Sequence, residues 1–439
     1  MNPTSPRPSR RGLEAFASRD FTLYQVARMV TIVGGEAQAV AVAWQVYAIT
    51  HRALDLGYTG LALFLPALLF LIPAGHVADR YDRRQVILVC YLAQLVASLA
   101  LAIMAIADVR NVFWIYVVLF LIGMGRAFSG PAATALIPHL VEPEHLVNAL
   151  TWATAITKLA NVTGPAMGGV LFVLSLDRLF PRAHLEGAAI VYLFTLVMLV
   201  IFIVLVAMLK VRLGRMEHRA VSMKVILAGF HFVNRAPVIL GSISLDLFVV
   251  LLGGATTLLP IFAGDILHQG PRGFGLLRAA PAVGALAMSL FLTRFAIKRH
   301  AGRKLLISVV IFGAATVVFG ISTSFWLSVL ALAVTGASDM VSMIIRSSIV
   351  QIATPPEMRG RVSAVNSLFI GASNELGGFE SGVTAQWWGA VWATIVGGVG
   401  SLVVAAAWAG MFPKLRAADE LTPEALRVAM PADEPVPAE

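Results

Sequence analysis

The chain alternates long apolar runs with short polar ones from end to end. Apolar stretches cover residues 21–49, 57–78, 86–107, 112–138, 146–176, 187–209, 237–263, 274–296, 304–322, 326–352, 361–386 and 388–411. Each is close to the roughly 20 residues that a helix needs to cross a bilayer. Inside hydrocarbon the backbone must satisfy its own hydrogen bonds, so runs of this length read as helices. The pattern predicts an all-α membrane protein with twelve transmembrane helices. An even number puts both termini on the same side.

The polar stretches divide the chain. Residues 1–20 form a basic N-terminal tail, 21–209 a first bundle of six spans, 210–236 a linker, 237–412 a second six-span bundle, and 413–439 a tail rich in Pro, Glu and Ala. That last composition suits disorder. In the linker, Val221, Val225, Ile226 and Phe230 recur at near-helical spacing among Lys224, His231 and Arg235, which predicts a helix on the membrane surface. The two bundles repeat each other. Gly60-Leu61 and Pro66-Ala67 match Gly275-Leu276 and Pro281-Ala282 (275 − 60 = 215), so the bundles are expected to be pseudo-symmetric.

Composition agrees with burial in lipid. Of 439 residues, 58% are hydrophobic and only 13% charged, against about 25% charged in soluble domains. The net charge of +9 does not point to nucleic acid, because the cations sit in alternate loops. One set of loops holds Arg7, Arg10, Arg11, Arg80, Arg83, Arg84, Lys210, Arg212, Arg299 and Arg359 among others; the opposite set holds only Arg52, Arg110, Arg178, Arg182 and Arg272. The positive-inside rule then places both termini in the cytoplasm. The single cysteine, Cys90, lies in an apolar run and excludes a disulfide framework or a cysteine metal cluster. No metal and no cofactor is expected, no cleavable signal is read at the N-terminus, and no phosphate-binding Gly-x-x-x-x-Gly-Lys-Ser/Thr loop occurs.

Between the second and third runs stands Gly75-His76-Val77-Ala78-Asp79-Arg80-Tyr81-Asp82-Arg83-Arg84. Gly-x-x-x-Asp-Arg-x-x-Arg-Arg at this position resembles the signature loop of the major facilitator superfamily of secondary transporters. The resemblance implies two six-helix bundles that alternate access to a central cavity. Arg80, Arg83 and Arg84 are expected to pin this end to the anionic inner leaflet. Asp79 is expected to act as a cytoplasmic gate latch against the N-terminus of the eleventh span, near Gly360 and Arg361, where a carboxylate is stabilised by the helix dipole. In the second repeat Asp79 falls on Arg294, so the acid is lost.

Charges inside spans are costly and mark helices that face protein or water. The first span carries Arg28 and Glu36, the fourth Arg126, the fifth Lys158, the seventh Asp246, the eighth Arg278, the tenth Asp339 and Arg346, and the eleventh Glu375 and Glu380. The third, sixth, ninth and twelfth carry none and are expected to meet lipid. Glu36 follows Gly34-Gly35, and the seventh span has Gly253-Gly254 and Pro260 at a comparable depth. Gly-interrupted helices in corresponding positions point to a substrate site. A desolvated carboxylate at mid-membrane can take up and release protons near neutral pH, so Glu36 and Asp246 are candidate proton carriers. Asp246 could instead pair locally with Arg278 or Arg346, and Asp339 with Arg346. Arg126-x-x-x-Gly130 resembles a superfamily motif linked to proton coupling. Arg28, Gly34, Gly35, Asp339, Arg346 and Glu375 complete the expected cavity lining.

Gly164-Pro165-Ala166-Met167-Gly168-Gly169 in the fifth span resembles the motif of exporters and antiporters in this superfamily. The segments Asp246 to Pro260 and Arg359 to Gly382 are similar to the bacterial exporter subfamily that includes the enterobactin exporter and macrolide-efflux-like proteins. The resemblance implies a monomeric, proton-driven exporter of a small siderophore- or drug-like molecule in the bacterial inner membrane, neither an enzyme nor dependent on an ATPase subunit. Import, or a non-transporting receptor on the same fold, stays open.

Overall fold

The computed structural model describes residues 12–174, 187–210, 223–295, 297, 299–355 and 357–417, without the side chains of 71–72, 78–79 and 223–226. The expectations for residues 1–11, Arg178, Arg182, Arg212, Val221, the side chains of Asp79, Lys224, Val225 and Ile226, and residues 418–439 lie outside the described residues.

Among the described residues there are helices and no strands. The long helices are α1 (Arg19–Thr50), α2 (Ala53–Leu69), α3 (Leu71–Arg80), α4 (Arg83–Ile106), α5 (Val112–Leu136), α6 (Leu146–Phe172) and α7 (Ala188–Ala207). They continue as α8 (Met223–Arg235), α9 (Pro237–Leu252), the short α10 (Leu259–Ile261), α11 (Gly270–Arg294), α12 (Ala301–Ile321), α13 (Phe325–Ala353), α14 (Arg359–Trp388), α15 (Ala390–Met411) and α16 (Pro413–Ala417). Nine described helices are long and apolar enough to cross a membrane on their own. The other three expected spans are α6 and α14, which carry more polar side chains, and the pair α2–α3.

Two spans differ from expectation in continuity. The second breaks at Phe70, which ends α2 and caps α3. Pro73 lacks the N–H that would bond the Leu69 carbonyl, so the ladder fails there. The first, expected to be interrupted at Gly34-Gly35, runs unbroken through both. The seventh does break at Gly253 and Gly254, then continues as a 3₁₀ turn (Ala255–Leu258), α10 and a π turn (Phe262–Ile266). Thus the glycine pair interrupts one helix and not its counterpart.

The chain forms two compact units. One comprises Met1–Val42 with Leu65–Ala220, the other Ala43–Phe64 with Val221–Glu439. The division passes through α1 and α2, so the end of α1 and the start of α2 pack with the C-terminal helices. The first unit is cored by Phe21, Tyr24, Ile87, Leu136 and Phe202. The second is cored by Ile239, Leu245, Leu305, Ile345 and Val362. Val89, Val96 and Ile103 on α4, Val197 and Val204 on α7, Ile307 on α12 and Val403 on α15 are exposed. Exposed apolar faces on these four helices suit contact with hydrocarbon.

Small residues set the closest approaches. A Cβ on Gly336 would collide with the Pro281 carbonyl, and one on Gly284 with the Ala333 carbonyl, so α11 and α13 cross backbone to backbone. Helix α8 packs on α14: Gly229 lies against the Arg361 carbonyl, and Phe230 stacks on Phe369 with centroids 6.4 Å apart. The segment before α1 is tied down. Trp152 Nε1 and Asn148 Nδ2 donate to the Gly12 carbonyl at 2.7 and 3.1 Å, and Ser18 Oγ donates to the Leu140 carbonyl at 2.6 Å. The segment expected to be disordered after residue 412 begins with α16, whose Leu415 is buried against Gly241 and Gly302.

Candidate functional site

In the first unit the candidate residues converge on α1. Thr195 Oγ1 on α7 donates to the Gly34 carbonyl at 3.0 Å, and a Cβ on Gly34 would lie 2.9 Å from Met198 Cβ. Gly34 therefore permits a close helix contact, which explains why it does not break α1. Gly35 faces Arg126, whose guanidinium would lie 3.6 Å from an added Cβ. Glu36 and Arg126 line one cavity of about 300 Å³ together with Thr31, Gln38, Tyr91, Gln94, Ser98 and Ser129.

The glycine-rich motif of the fifth span meets the same place. A Cβ on Gly164 would lie 2.6 Å from Glu36 Cβ, and one on Gly168 2.8 Å from Ala37 Cα. Pro165 and Gly169 are buried beside them. The motif thus seats α6 against α1 at the level of Glu36. About two turns nearer the start of α1, Arg28 donates to Thr157 Oγ1 at 3.2 Å and to Gln25 Oε1 at 3.4 Å.

The signature loop is used differently from the expected lipid pinning. Asp82 caps α4 by accepting from the Arg84 N–H at 2.8 Å. Arg83 donates to the Ala135 carbonyl at 3.0 Å and meets His139 Nε2 at 3.0 Å, while Arg84 donates to the Ala207 carbonyl. Both guanidiniums therefore satisfy carbonyls at the C-terminal ends of α5 and α7, where the dipole favours a cation. Arg80 is exposed and Gly75 buried.

In the second unit Arg346 forms an ion pair with Asp246, and both side chains are about nine-tenths buried. Arg346 was one of the two partners open to Asp246. Asp339 also reaches Arg346, at 3.8 Å, but its side chain is 50% exposed. Glu375 lies against the middle of α2, where its Oε2 would be 2.8 Å from a Cβ on Gly60. Arg361, at the start of α14, donates to Met358 Sδ at 3.5 Å. Two features went unread in the sequence: Tyr47 donates to Asp265 beside the stacked pair Trp44–Phe274, and the neutral side chains Gln94 and Ser98 line the Glu36 cavity. Asp265 had the look of a loop charge; Gln94 and Ser98 carry no charge at all. Among the described residues no group of three or more His, Cys, Asp or Glu is placed to hold a metal.

The same arrangement of helices recurs in solved transporters. A bacterial homologue of the human lysosomal transporter Spinster, in an inward-facing conformation, superposes with a TM-score of 0.71 at 16% identity, over 95% of this chain and 99% of that one. A bacterial homologue of the iron transporter ferroportin, also inward-facing, gives 0.66 at 18% identity, over 89% and 98%. The fold is that of the major facilitator transporters, twelve transmembrane helices in two six-helix bundles, and the protein is a multi-pass membrane transporter of that type. More narrowly, residues 11–436 match the transmembrane secretion effector family, to which the chain belongs. The enterobactin exporters of Citrobacter koseri and of Escherichia coli are 27% and 26% identical over 346 residues, 77% of this chain and 79% of theirs. The family and these neighbours are transporters, not enzymes.

Proposed function

We propose that the protein exports a small organic molecule of siderophore or drug type across the bacterial inner membrane, in exchange for protons. Both termini are on the cytoplasmic side in this reading. Proton influx through Glu36, Arg126 and Asp246 drives rocking of the bundles around a cavity lined by Arg28, Gly34, Gly35, Asp339, Arg346 and Glu375. One observation carries the reading: the exporter-type glycines Gly164 and Gly168 hold α6 directly against Glu36, so the helix contact and the titratable acid form one device. The likeness to enterobactin exporters supports efflux over uptake.

A membrane acid that loses its proton near an arginine is stabilised as a carboxylate, and it is neutral when the arginine moves away. Glu36 and Arg126, on different helices around one cavity, suit such a cycle. The test is transport in proteoliposomes with an imposed pH gradient, using enterobactin as the probe. Gradient-dependent flux is expected from the wild type and from neither Glu36→Gln nor the Glu36→Gln, Asp246→Asn double variant. Retained pH-driven flux in the double variant would remove both residues from the role; flux only in the inward direction would overturn export.

A further inference from the structure

Beyond Arg83 and Arg84 at its start, the third span, α4, carries no charge, yet it does not offer only an apolar surface. Tyr91, Gln94 and Ser98 stand at i, i+3 and i+7, one face of a helix, and all three line the cavity of Glu36 and Arg126. The other face bears the exposed Val89, Leu92, Val96 and Ile103. Ser98 Oγ donates to Gln38 Oε1 at 2.9 Å across the α4–α1 contact. Gln94 packs over Gly125, where a Cβ would come within 3.0 Å of its Cγ. It is 7% exposed, and its Nε2 has no hydrogen-bond partner within the protein.

A buried amide without a partner is expensive, above all where the surroundings are hydrocarbon. An amide that must be satisfied at the wall of a polar cavity is satisfied by what fills that cavity. The volume of about 300 Å³ takes roughly ten water molecules or more. Two amides and several hydroxyls supply donors and acceptors in mixture, which matches water better than any single charged group.

We infer that this cavity is a hydrated proton-loading pocket, in which water held by Gln94, Gln38 and Ser98 carries protons to and from Glu36. The inference rests on the reading of Glu36 as a proton carrier. In loading, a hydronium in the pocket gives its proton to a Glu36 carboxylate oxygen; the products are a neutral carboxylic acid and a water. Unloading is the reverse, with the proton returned to water. The titratable and charged groups that line the cavity with Glu36 are Tyr91 on α4 and Arg126 on α5; the same helices also carry Arg19, Asp20, Tyr24, Arg28 and Tyr47 on α1, Arg83, Arg84 and Cys90 on α4, Tyr116 on α5, Lys158 on α6 and Tyr192 on α7. Gln94 acts through water and is a positioning residue.

The proton itself is the probe. Purified full-length protein in lipid nanodiscs is followed by infrared difference spectroscopy after pH jumps between about pH 5 and 9. The carboxyl band missing from Glu36→Gln reports Glu36. In Gln94→Leu and Gln94→Met the band is expected to persist but to form at least tenfold more slowly. Gln94→Asn, which keeps an amide, is expected to recover most of the rate, and Ser98→Ala, which releases Gln38, to slow it again. Thermal melting identifies any variant that fails to fold, and the remaining ones decide. Wild-type rates in the folded apolar variants and in Ser98→Ala would overturn the pocket alone. Absence of a Glu36 band in the wild type would overturn both the pocket and the proton-carrier reading.

Discussion

Arg346 is held by one carboxylate and reached by another, and the difference predicts what each substitution does. Asp246 and Arg346 are both about nine-tenths buried. Removing one member of such a pair leaves an uncompensated charge and costs about 3–5 kcal/mol. Asp246→Ala should therefore lower the melting temperature in detergent by many degrees. Asp339→Ala should cost less than about 1 kcal/mol, because that carboxylate is half exposed and its ion pair is long. A reversed order would show that Asp339 is the structural partner. At this scale the sequence is legible where charge marks a residue. Glu36, Arg126 and Asp246 stand out because ions in a membrane are rare. Gln94 and Ser98 share the Glu36 cavity but are ordinary neutral residues, and no spacing rule separates them from packing side chains. That Arg346 pairs with Asp246 was equally hidden, because it depends on how α9 and α13 turn toward each other.

Helix contacts depend on glycines in two different ways. At the α11–α13 crossing, Gly284 and Gly336 each abut a carbonyl of the other helix. Gly336→Ala overpacks a backbone contact and is expected to destabilise the second unit by about 1–3 kcal/mol, visible as a lower thermal midpoint. At α6 the consequence is functional. Gly164→Ala pushes a Cβ into Glu36 and should reduce pH-driven transport by about tenfold or more, with normal yield in the membrane. Unchanged flux would mean that the contact merely packs. Element positions follow closely from the apolar runs, since length and hydropathy are enough to place a membrane helix. Continuity does not. Pro73 broke the second span at Phe70, yet Pro66, Pro131, Pro165 and Pro281 are absorbed inside helices. Gly34-Gly35 and Gly253-Gly254 look alike in sequence; Gly34 is held in a continuous ladder by α7, whereas Gly253-Gly254 is followed by Pro260 and a π turn.

Across the whole chain the arrangement of cations sets orientation, and it can be read out directly. In a Cys90→Ser background, Arg110→Cys should react with a membrane-impermeant maleimide on intact cells, while Arg299→Cys should react only after permeabilisation. The opposite pattern would invert the topology. The two-bundle design was visible in the count of runs, the central linker and the internal repeat. The grouping of residues 43–64 with the C-terminal helices was not, because it arises from contacts such as Tyr47 with Asp265 and Gly57 with Phe379, about 220 to 320 residues apart in the chain. The strap ahead of α1 has a further consequence, for the order of events during synthesis. Gly12, Ser18 and Asp20 leave the ribosome long before their partners Leu140, Asn148, Trp152 and Lys210 are made. The strap therefore waits until Leu140, Asn148 and Trp152 have been made, and the Asp20–Lys210 contact closes only after the sixth span, so a nascent chain arrested before Leu140 lacks all four of these partners.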